Sequence, residues 1–190
     1  MSEPWPDFCP PYSSLFAYLG IACALALTSI GSGYGTFKSA IGLFEVCSIH
    51  PDQVYKGLMP IIMAGIVGIY GLVAAVIISP GMKYPYSIFA GYANLGGGLC
   101  VGFCGLASGV CIGVAGDVAI RAMAEQPRLI MGAMLILIFG EVLGLYGFIV
   151  SILLSNKKAD CVVKTWKFHL SKNYLFSFFF IINKDNFETV

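Results

Sequence analysis

Four long stretches of this sequence carry almost no charge, and they constrain its fold more than any other feature. The segments 8–37, 57–82, 84–116 and 129–156 contain no Asp, Glu, Lys or Arg, except for Glu141 in the last one. A helix that crosses a bilayer needs about 20 mostly apolar residues. Each segment therefore fits one span but not two spans and a turn. The sequence predicts four transmembrane helices, over about 12–37, 58–79, 87–116 and 129–154.

The composition agrees with a membrane location. Only 11% of the 190 residues are charged, whereas a water-soluble domain carries roughly 25%. A net charge of +1 gives no reason to expect a nucleic-acid partner. The seven cysteines form no C-x-x-C pair and the two histidines stand apart, so we predict no metal site, no disulfide framework and no cofactor. The cysteines inside the spans are expected to be small buried apolar residues.

The second half of the chain repeats the first. Ten positions match without a gap when residues 12–80 are laid over 88–156. The segment GIYGLV (68–73) falls on GLYGFI (144–149), and a proline falls at the same point of both predicted loops. The repeated unit is a helical hairpin in parallel orientation.

This repeat defines the predicted architecture. We expect an all-α membrane protein of two tandem helical hairpins, 12–80 and 87–155, followed by an atypical C-terminal tail over 156–190. The comparison of the two halves exposes one difference, because Gly65 stands in the first half where Glu141 stands in the second. Two hairpins therefore share one carboxylate.

Small residues recur along one face of the third span. Their spacings of three and four residues are those of a single helix face, and the stripe comprises Gly98, Gly102, Gly105, Gly109, Gly113 and Gly116. Helices in lipid associate by close packing, which small residues permit. One interpretation is packing within a four-helix bundle. The one we favour is contact between copies that closes several chains into a ring. The matching face of the first span reads Ala22, Ala26, Ser29, Gly33, Phe37 and Ala40.

Glu141 is the candidate functional residue, because it lies near the middle of the fourth predicted span. Placing an acidic residue at the bilayer centre costs about 2.5–3.5 kcal/mol on insertion scales. Desolvation favours the neutral form of a buried carboxyl, so such a group can hold a proton in lipid and release it to a cation or water. The alternatives are a hydrogen-bonded structural glutamate and a glutamate that lines a static cavity.

The predicted spans contain no basic residue, so Glu141 has no evident ion-pair partner within them. Tyr70, on the equivalent helix of the other hairpin, is a candidate hydrogen-bond partner. Tyr146 lies five residues beyond Glu141, which places it on a different face of the helix.

The motifs in the spans resemble those of a known family. The segment QPRLIMGAMLILIFGEVLGLYGFIVSILLS (126–155) resembles the last helix of the proteolipid c subunits of vacuolar-type proton-translocating ATPases. The context IFGEVLGLYG around the carboxylate is the most distinctive part. The other three helices resemble that family through MAGIVGIYGLVAAVI (63–77), GYGTFKSAIG (33–42) and GLASGVCIGVAGD (105–117).

The resemblance implies a function and its partners. Copies would form a ring of c-type subunits in the membrane, turned through rotor stalk subunits by ATP hydrolysis in a separate soluble sector. Each Glu141 would take a proton from one half-channel of a stator a subunit, cross lipid in the protonated form and release the proton at the other half-channel. A stator arginine would stabilise the ionised form. The membrane would be vacuolar, lysosomal or another acidic endomembrane.

Three other classes of protein remain open from the residues alone. A tetraspan channel or gap-junction-like pore would line a water path with polar residues on several spans. A secondary transporter usually has broken helices and several polar groups at the midplane. A purely structural membrane protein would not need Glu141. No G-x-x-x-x-G-K-[ST] loop is present, so we predict no nucleotide-binding or catalytic site in this chain.

The charges around the loops predict an orientation. The segments 38–57 and 116–128 carry four basic residues, and the positive-inside rule therefore places them in the cytosol. The six lysines of the C-terminal tail argue for the opposite orientation. The resemblance implies cytosolic loops, which would there meet the rotor stalk. Asp117 and Arg121 are four residues apart at the predicted end of the third span, which favours a helix-end ion pair. Contact of these two residues with a rotor stalk is the alternative.

Overall fold

The computed structural model describes residue 9 and residues 12–49, 54–82 and 86–156. Every regular element in these ranges is helical, which confirms the predicted all-α class. The helices are α1 (Ser13–Cys47), α2 (Val54–Gly57), α3 (Met59–Ile78), α4 (Ile88–Glu125) and α5 (Ile130–Ser155). One 3-10 turn follows α3 and another precedes α5. The tail predicted beyond Asn156 lies outside the residues described.

Four helical segments are long and apolar enough to cross a membrane: Ser13–Cys47, Val54–Gly81, Ile88–Glu125 and Ile130–Ser155. Helices suit such segments because lipid offers no hydrogen bonds, so each backbone N–H and C=O must be satisfied within the segment. The chain is an integral multi-pass membrane protein. The predicted limits of the second and fourth spans lie within one residue of α3 and α5 at each end.

Two spans were predicted too short. The first was expected to end at residue 37 and the third at residue 116, where the first charges appear, but α1 continues to Cys47 and α4 to Glu125. The 38 residues of α4 make a helix about 57 Å long at 1.5 Å per residue, against about 30 Å of hydrocarbon. The charges did not end the helices, because a helix can leave the bilayer and continue in water. Both helices therefore extend past the bilayer at the same end.

The contact between α1 and α4 is the main seam of the bundle. All six glycines of the predicted stripe lie in this seam and face α1 of the same chain. Gly116 also contacts Pro60 of α3. A Cβ at Gly113 would lie 2.9 Å from Gly35 Cα, and one at Gly105 would lie 2.6 Å from Thr28 Cγ2. The favoured prediction that this stripe joins separate copies is therefore wrong. The packing occurs within the chain, because α1 already occupies the face.

Polar contacts surround the start of α4, and one of them links it to the start of α1. Ser13 Oγ, at the start of α1, donates a buried hydrogen bond of 2.7 Å to the Tyr86 carbonyl oxygen. Asn94 Nδ2 donates to the Tyr86 hydroxyl at 2.5 Å. The Ser87 side chain accepts a hydrogen bond from the Ala90 N–H and caps α4. These bonds satisfy groups that lipid would leave without partners.

The cysteines depart in part from the prediction. Cys23, Cys100 and Cys104 are half-buried and Cys111 is exposed on α4, so none is as fully buried as expected. Cys9 is disulfide-bonded, which corrects for that residue the expectation that disulfides play no part.

The seam predicts that Gly113→Leu destabilises the fold. The new side chain would meet the α1 backbone rather than a movable side chain, and overpacking of this kind costs about 1–3 kcal/mol or more. We expect a lower midpoint of thermal unfolding for the purified protein in detergent. The control is Gly132→Leu on α5, where a Cβ would have nothing within 4 Å. Equal midpoints for the two variants would contradict this account of the seam.

Candidate functional site

Glu141 is the twelfth of the 26 residues of α5, which places it close to the middle of that helix. Two buried glycines on the same helix flank it and allow α5 to approach α4. A Cβ at Gly140 would lie 3.2 Å from Ile112 Cγ1, and one at Gly144 would lie 3.3 Å from Ser108 Oγ. The backbone that carries the carboxylate is therefore held against α4 on both sides of it.

A tyrosine from the other hairpin contacts the carboxylate. Tyr70 on α3 donates a hydrogen bond from its hydroxyl to Glu141 Oε1 at 2.9 Å. Its ring stacks on Phe148 of α5, with ring centroids 5.7 Å apart and an angle of 25° between the planes. The structure thus brings together the two residues that the sequence singled out. Phe148 was not predicted, because nothing in its sequence context separates it from other lipid-span aromatics.

Ser108 is a second residue that sequence reasoning missed. Its hydroxyl donates a buried hydrogen bond of 2.8 Å to the carbonyl oxygen of Gly140, which immediately precedes Glu141. The bond joins α4 to α5 at the level of the carboxylate. The repeat contained a signal for it, because Ser108 and its equivalent Ser32 are among the ten matched positions.

The helix turn before Glu141 packs into an apolar cluster. One turn away, fully buried Leu137 packs with Ala64, Val67 and Ile112. On the outer side of α5, Phe139 is 66% exposed and Tyr146 is 59% exposed. Across the part of the chain that the structure describes, no Lys, Arg or His nitrogen lies within 4.0 Å of this carboxylate.

The equivalent position in the first hairpin carries a glycine and therefore no side chain. A Cβ at Gly65 would have nothing within 4 Å, so this place could hold a side chain but carries none. Tyr146, the repeat equivalent of Tyr70, points outward from α5. The glycine stripe faces α1 and does not contact Glu141. The described part of the bundle therefore contains one hydrogen-bonded carboxylate at mid-depth, built from α3, α4 and α5.

The arrangement places one carboxyl group beside one neutral hydrogen-bond donor, and no cationic side chain of the described residues lies within ion-pairing distance of it. In general, an isolated carboxyl in a membrane span is the kind of group that exchanges a proton with water or with a cation that approaches it.

A cluster of charged residues lies elsewhere, towards the shared end of α1 and α4. The predicted pair is present, with Arg121 Nε donating to Asp117 Oδ1 at 3.0 Å. Asp117 also pairs with Lys38 at 3.1 Å, and Arg121 pairs with Glu45 at 2.7 Å. The two partners from α1 were not predicted, because the first span was expected to end before them.

A family model matches both halves of the chain. The family model for the C subunit of ATP synthase matches residues 19–78 and, a second time, residues 95–154. The chain belongs to this family. The sequence repeat lays residue 19 on residue 95 and residue 78 on residue 154, so the two matches have the same register as the repeat.

The relatives from three organisms are subunits of V-type proton ATPases. The chain is 48% identical over 161 residues to the V-type proton ATPase 16 kDa proteolipid subunit of Chrysotila carterae, which covers 82% of this chain and 98% of that one. It is 49% identical over 156 residues to the V-type proton ATPase c subunit of Schizosaccharomyces pombe, with 82% and 97% covered. It is 47% identical over 148 residues to the human 16 kDa proteolipid c subunit of the V-type proton ATPase, with 78% and 96% covered.

These likenesses confirm the resemblance seen in the motifs. The chain is a member of the c-subunit family with V-type proteolipids as its relatives, and such proteolipids are membrane-sector subunits of a proton pump. The match to the family model stops at residue 154.

The site geometry predicts different behaviour for the two tyrosines. Tyr70→Phe removes the donor that stabilises the ionised carboxylate and keeps the ring that stacks on Phe148. Hydrogen bonds to charged groups contribute about 1.5–3 kcal/mol, so the neutral carboxyl should be favoured. We expect dicyclohexylcarbodiimide, which reacts with protonated carboxyls, to label Glu141 several-fold faster at alkaline pH, where ionisation limits the reaction, as measured by mass spectrometry. Tyr146→Phe is the matched control and should leave the rate unchanged. Equal rates for both would show that the hydrogen bond has no effect on protonation.

Proposed function

We propose that this chain is a proton-carrying subunit of the rotor ring in the membrane sector of a vacuolar-type ATPase. Each copy carries one proton on Glu141 as the ring turns. The observation that carries the proposal is a single carboxylate at mid-depth, hydrogen-bonded to Tyr70 at 2.9 Å, one helix turn from the apolar cluster around Leu137. The names of the relatives, which are proton-pump proteolipids, support the same function.

The proposed cycle uses the two states of Glu141 in turn. The neutral carboxyl passes through lipid on the outer side of α5, where Phe139 and Leu143 are exposed. At a stator a subunit, water in one half-channel exchanges the proton, and an arginine of the stator stabilises the ionised carboxylate. The chain itself binds no nucleotide, and rotor stalk subunits connect the ring to ATP hydrolysis elsewhere. An acidic endomembrane such as that of a vacuole or lysosome is the proposed location.

Protons fit the site better than sodium ions. A sodium ion prefers several oxygen ligands around it, and among the described residues near Glu141 only the Tyr70 hydroxyl contacts the carboxylate through a side chain. Val67 beside it is fully buried in an apolar cluster, and Ile66 is also apolar. These side chains offer no ligands to a metal ion.

Two exposed faces support ring formation. Their residues are equivalent, in the repeat, to residues that form the α1–α4 seam. We call the first the leading face; it lies on α1 and comprises Ala22, Ala26, Ser29, Gly33 and Phe37, which are exposed. The repeat lays these residues on five of the stripe glycines. The second is the trailing face, on α4, and comprises the exposed residues Gly96, Ala107 and Cys111. In the repeat alignment, these three positions match Gly20, Gly31 and Gly35 of α1. Those three glycines are residues that the glycine stripe of α4 contacts within the chain.

The leading face on α1 of one copy can therefore pack against the trailing face on α4 of its neighbour. This contact would resemble the packing of α4 against α1 within the chain. A head-to-tail contact of this kind generates a ring when its rotation closes. α1 and α4 would line the inside of such a ring, and α3 and α5 the outside, where Glu141 must lie to reach a stator.

The central prediction concerns Glu141→Gln. Glutamine keeps the size of the side chain and an oxygen for Tyr70 but cannot carry a proton, so we expect ATP-driven acidification of vesicles to fall to background while the ring still assembles. Glu125→Gln, at the end of α4 and outside the site, should leave acidification unchanged. Acidification that persists in Glu141→Gln would exclude the carrier mechanism and favour the pore-like alternative.

A second prediction separates ring formation from folding. Gly33→Leu adds a side chain on the leading face, where a Cβ has nothing within 4 Å in the isolated chain. We expect a folded monomer that no longer forms a ring, as measured by native mass spectrometry in detergent. Gly109→Leu, at the equivalent position of the second hairpin, fills the seam itself and should unfold the monomer. Normal rings from Gly33→Leu would show that the leading face is not the contact between copies.

A further inference from the structure

The ion pair between Arg121 and Glu45 has a feature that the proton-carrying site does not explain. Arg121 on α4 holds Asp117 of its own helix through Nε and Glu45 of α1 through Nη1, at 3.0 and 2.7 Å. The pair therefore joins the two hairpins. Both side chains remain about half exposed, Arg121 at 44% and Glu45 at 56%. Each has surface left for a second partner.

The positions of the two residues in the repeat are equivalent. The repeat lays Glu45 on Arg121, so each occupies in its own hairpin the place that the other occupies in the neighbouring one. The two hairpins are thus alike in backbone and opposite in charge at this point. When hairpins alternate around a ring, a glutamate and an arginine must alternate with them.

We infer that Arg121 of each copy also pairs with Glu45 of the next copy, so that a closed belt of alternating charges joins the copies at the end where α1 and α4 leave the bilayer. The inference rests on the proposed ring. Within the chain, Glu45 of the first hairpin meets Arg121 of the second. At the contact between copies, the same geometry brings Arg121 of the second hairpin to Glu45 of the next first hairpin. The contact between copies remains attractive, because it again places an arginine from one hairpin against a glutamate from the other.

The neighbouring ion pair does not repeat in this way. Lys38 and Asp117 pair within the chain, but the repeat equivalents of these residues are Val114 and Ile41. Both equivalents are exposed apolar residues, at 47% and 40%. The contact between copies is therefore apolar at that level, and the charged belt is confined to Glu45 and Arg121. This difference provides an internal control.

The belt gives the contact between copies a selectivity that close packing lacks. Small apolar residues in lipid pack with little discrimination, whereas like charges brought together at every interface oppose assembly. A single exposed ion pair contributes little to stability. Around a ring, however, the same pair recurs at each contact, so a mismatched copy meets repulsion on both sides. The belt would favour copies of this chain over relatives with other residues at these two positions.

The test uses two chains that each keep an ion pair between positions 45 and 121. One is the unmodified chain, and the other carries Glu45→Arg together with Arg121→Glu. Each should form rings alone. Co-expressed with different affinity tags, they should sort into separate rings, because a mixed contact places arginine against arginine or glutamate against glutamate. We expect co-purification of the two tags at low salt to fall several-fold below that of two differently tagged unmodified chains. About 1 M salt should restore it, since the Debye length then falls to about 3 Å.

A second experiment reverses the logic. Glu45→Arg in one chain and Arg121→Glu in another each place like charges within the chain and between identical copies. Co-expressed, the two variants restore opposite charges between copies only, so ring yield should rise several-fold above that of either alone. The pair Lys38→Glu and Asp117→Lys should show no such rescue, because their contact is confined to one chain.

The outcomes are distinct. Free mixing of the unmodified and exchanged chains, or an absence of rescue together with rings from the unmodified chain, would overturn the belt and leave the proton-carrying function in place. Failure of the unmodified chain to form rings at all would contradict the proposed function itself. Sorting at low salt together with rescue would establish the contact between copies.

Discussion

The close contact between α1 and α4 is the interaction on which the rest of this structure depends. Lipid provides no hydrophobic force to drive helices together, so the hairpins are held by the fit of their backbones along six glycines. This fit sets the register of one hairpin against the other. Because α3 packs on α1 and α5 packs on α4, the register also determines which residues of α3 and α5 meet. The hydrogen bond from Tyr70 to Glu141 is a consequence of it.

The site and the charged cluster differ in how they limit the cost of charge in a membrane protein. At mid-depth, where charge is costly, the chain places one carboxylate, one neutral donor and apolar neighbours. Beyond the bilayer it places two acids and two bases that neutralise one another over short distances. A carboxylate paired with a permanent cation would remain ionised and could not carry a proton through lipid. Under the proposed mechanism, the separation of the two regions leaves Glu141 free to respond to a stator subunit outside the bundle.

Much of this was predictable from the sequence, and the failures have physical causes. The charge-free segments revealed four helices, and the repeat indicated both the hairpins and the pairing of Tyr70 with Glu141. The ends of α1 and α4 were misplaced because a first charge marks the edge of the bilayer, not the end of a helix. The partner of the glycine stripe was misassigned because small residues show that a neighbour is close without showing which neighbour it is. Ser108 and Phe148 were missed because their roles depend on the rotation of α4 and α5 about their own axes, which spacing alone does not provide.

Gly65 occupies in the first hairpin the place that Glu141 holds in the second, with open space around it. Under the proposed mechanism, a ring of these chains carries one proton for every two hairpins that pass the stator. The work available from one revolution is set by the ATP consumed and is divided among the protons moved. Fewer carriers leave more work for each proton. With glycine at this position, a ring moves fewer protons in each revolution but can move each of them against a steeper gradient of acidity.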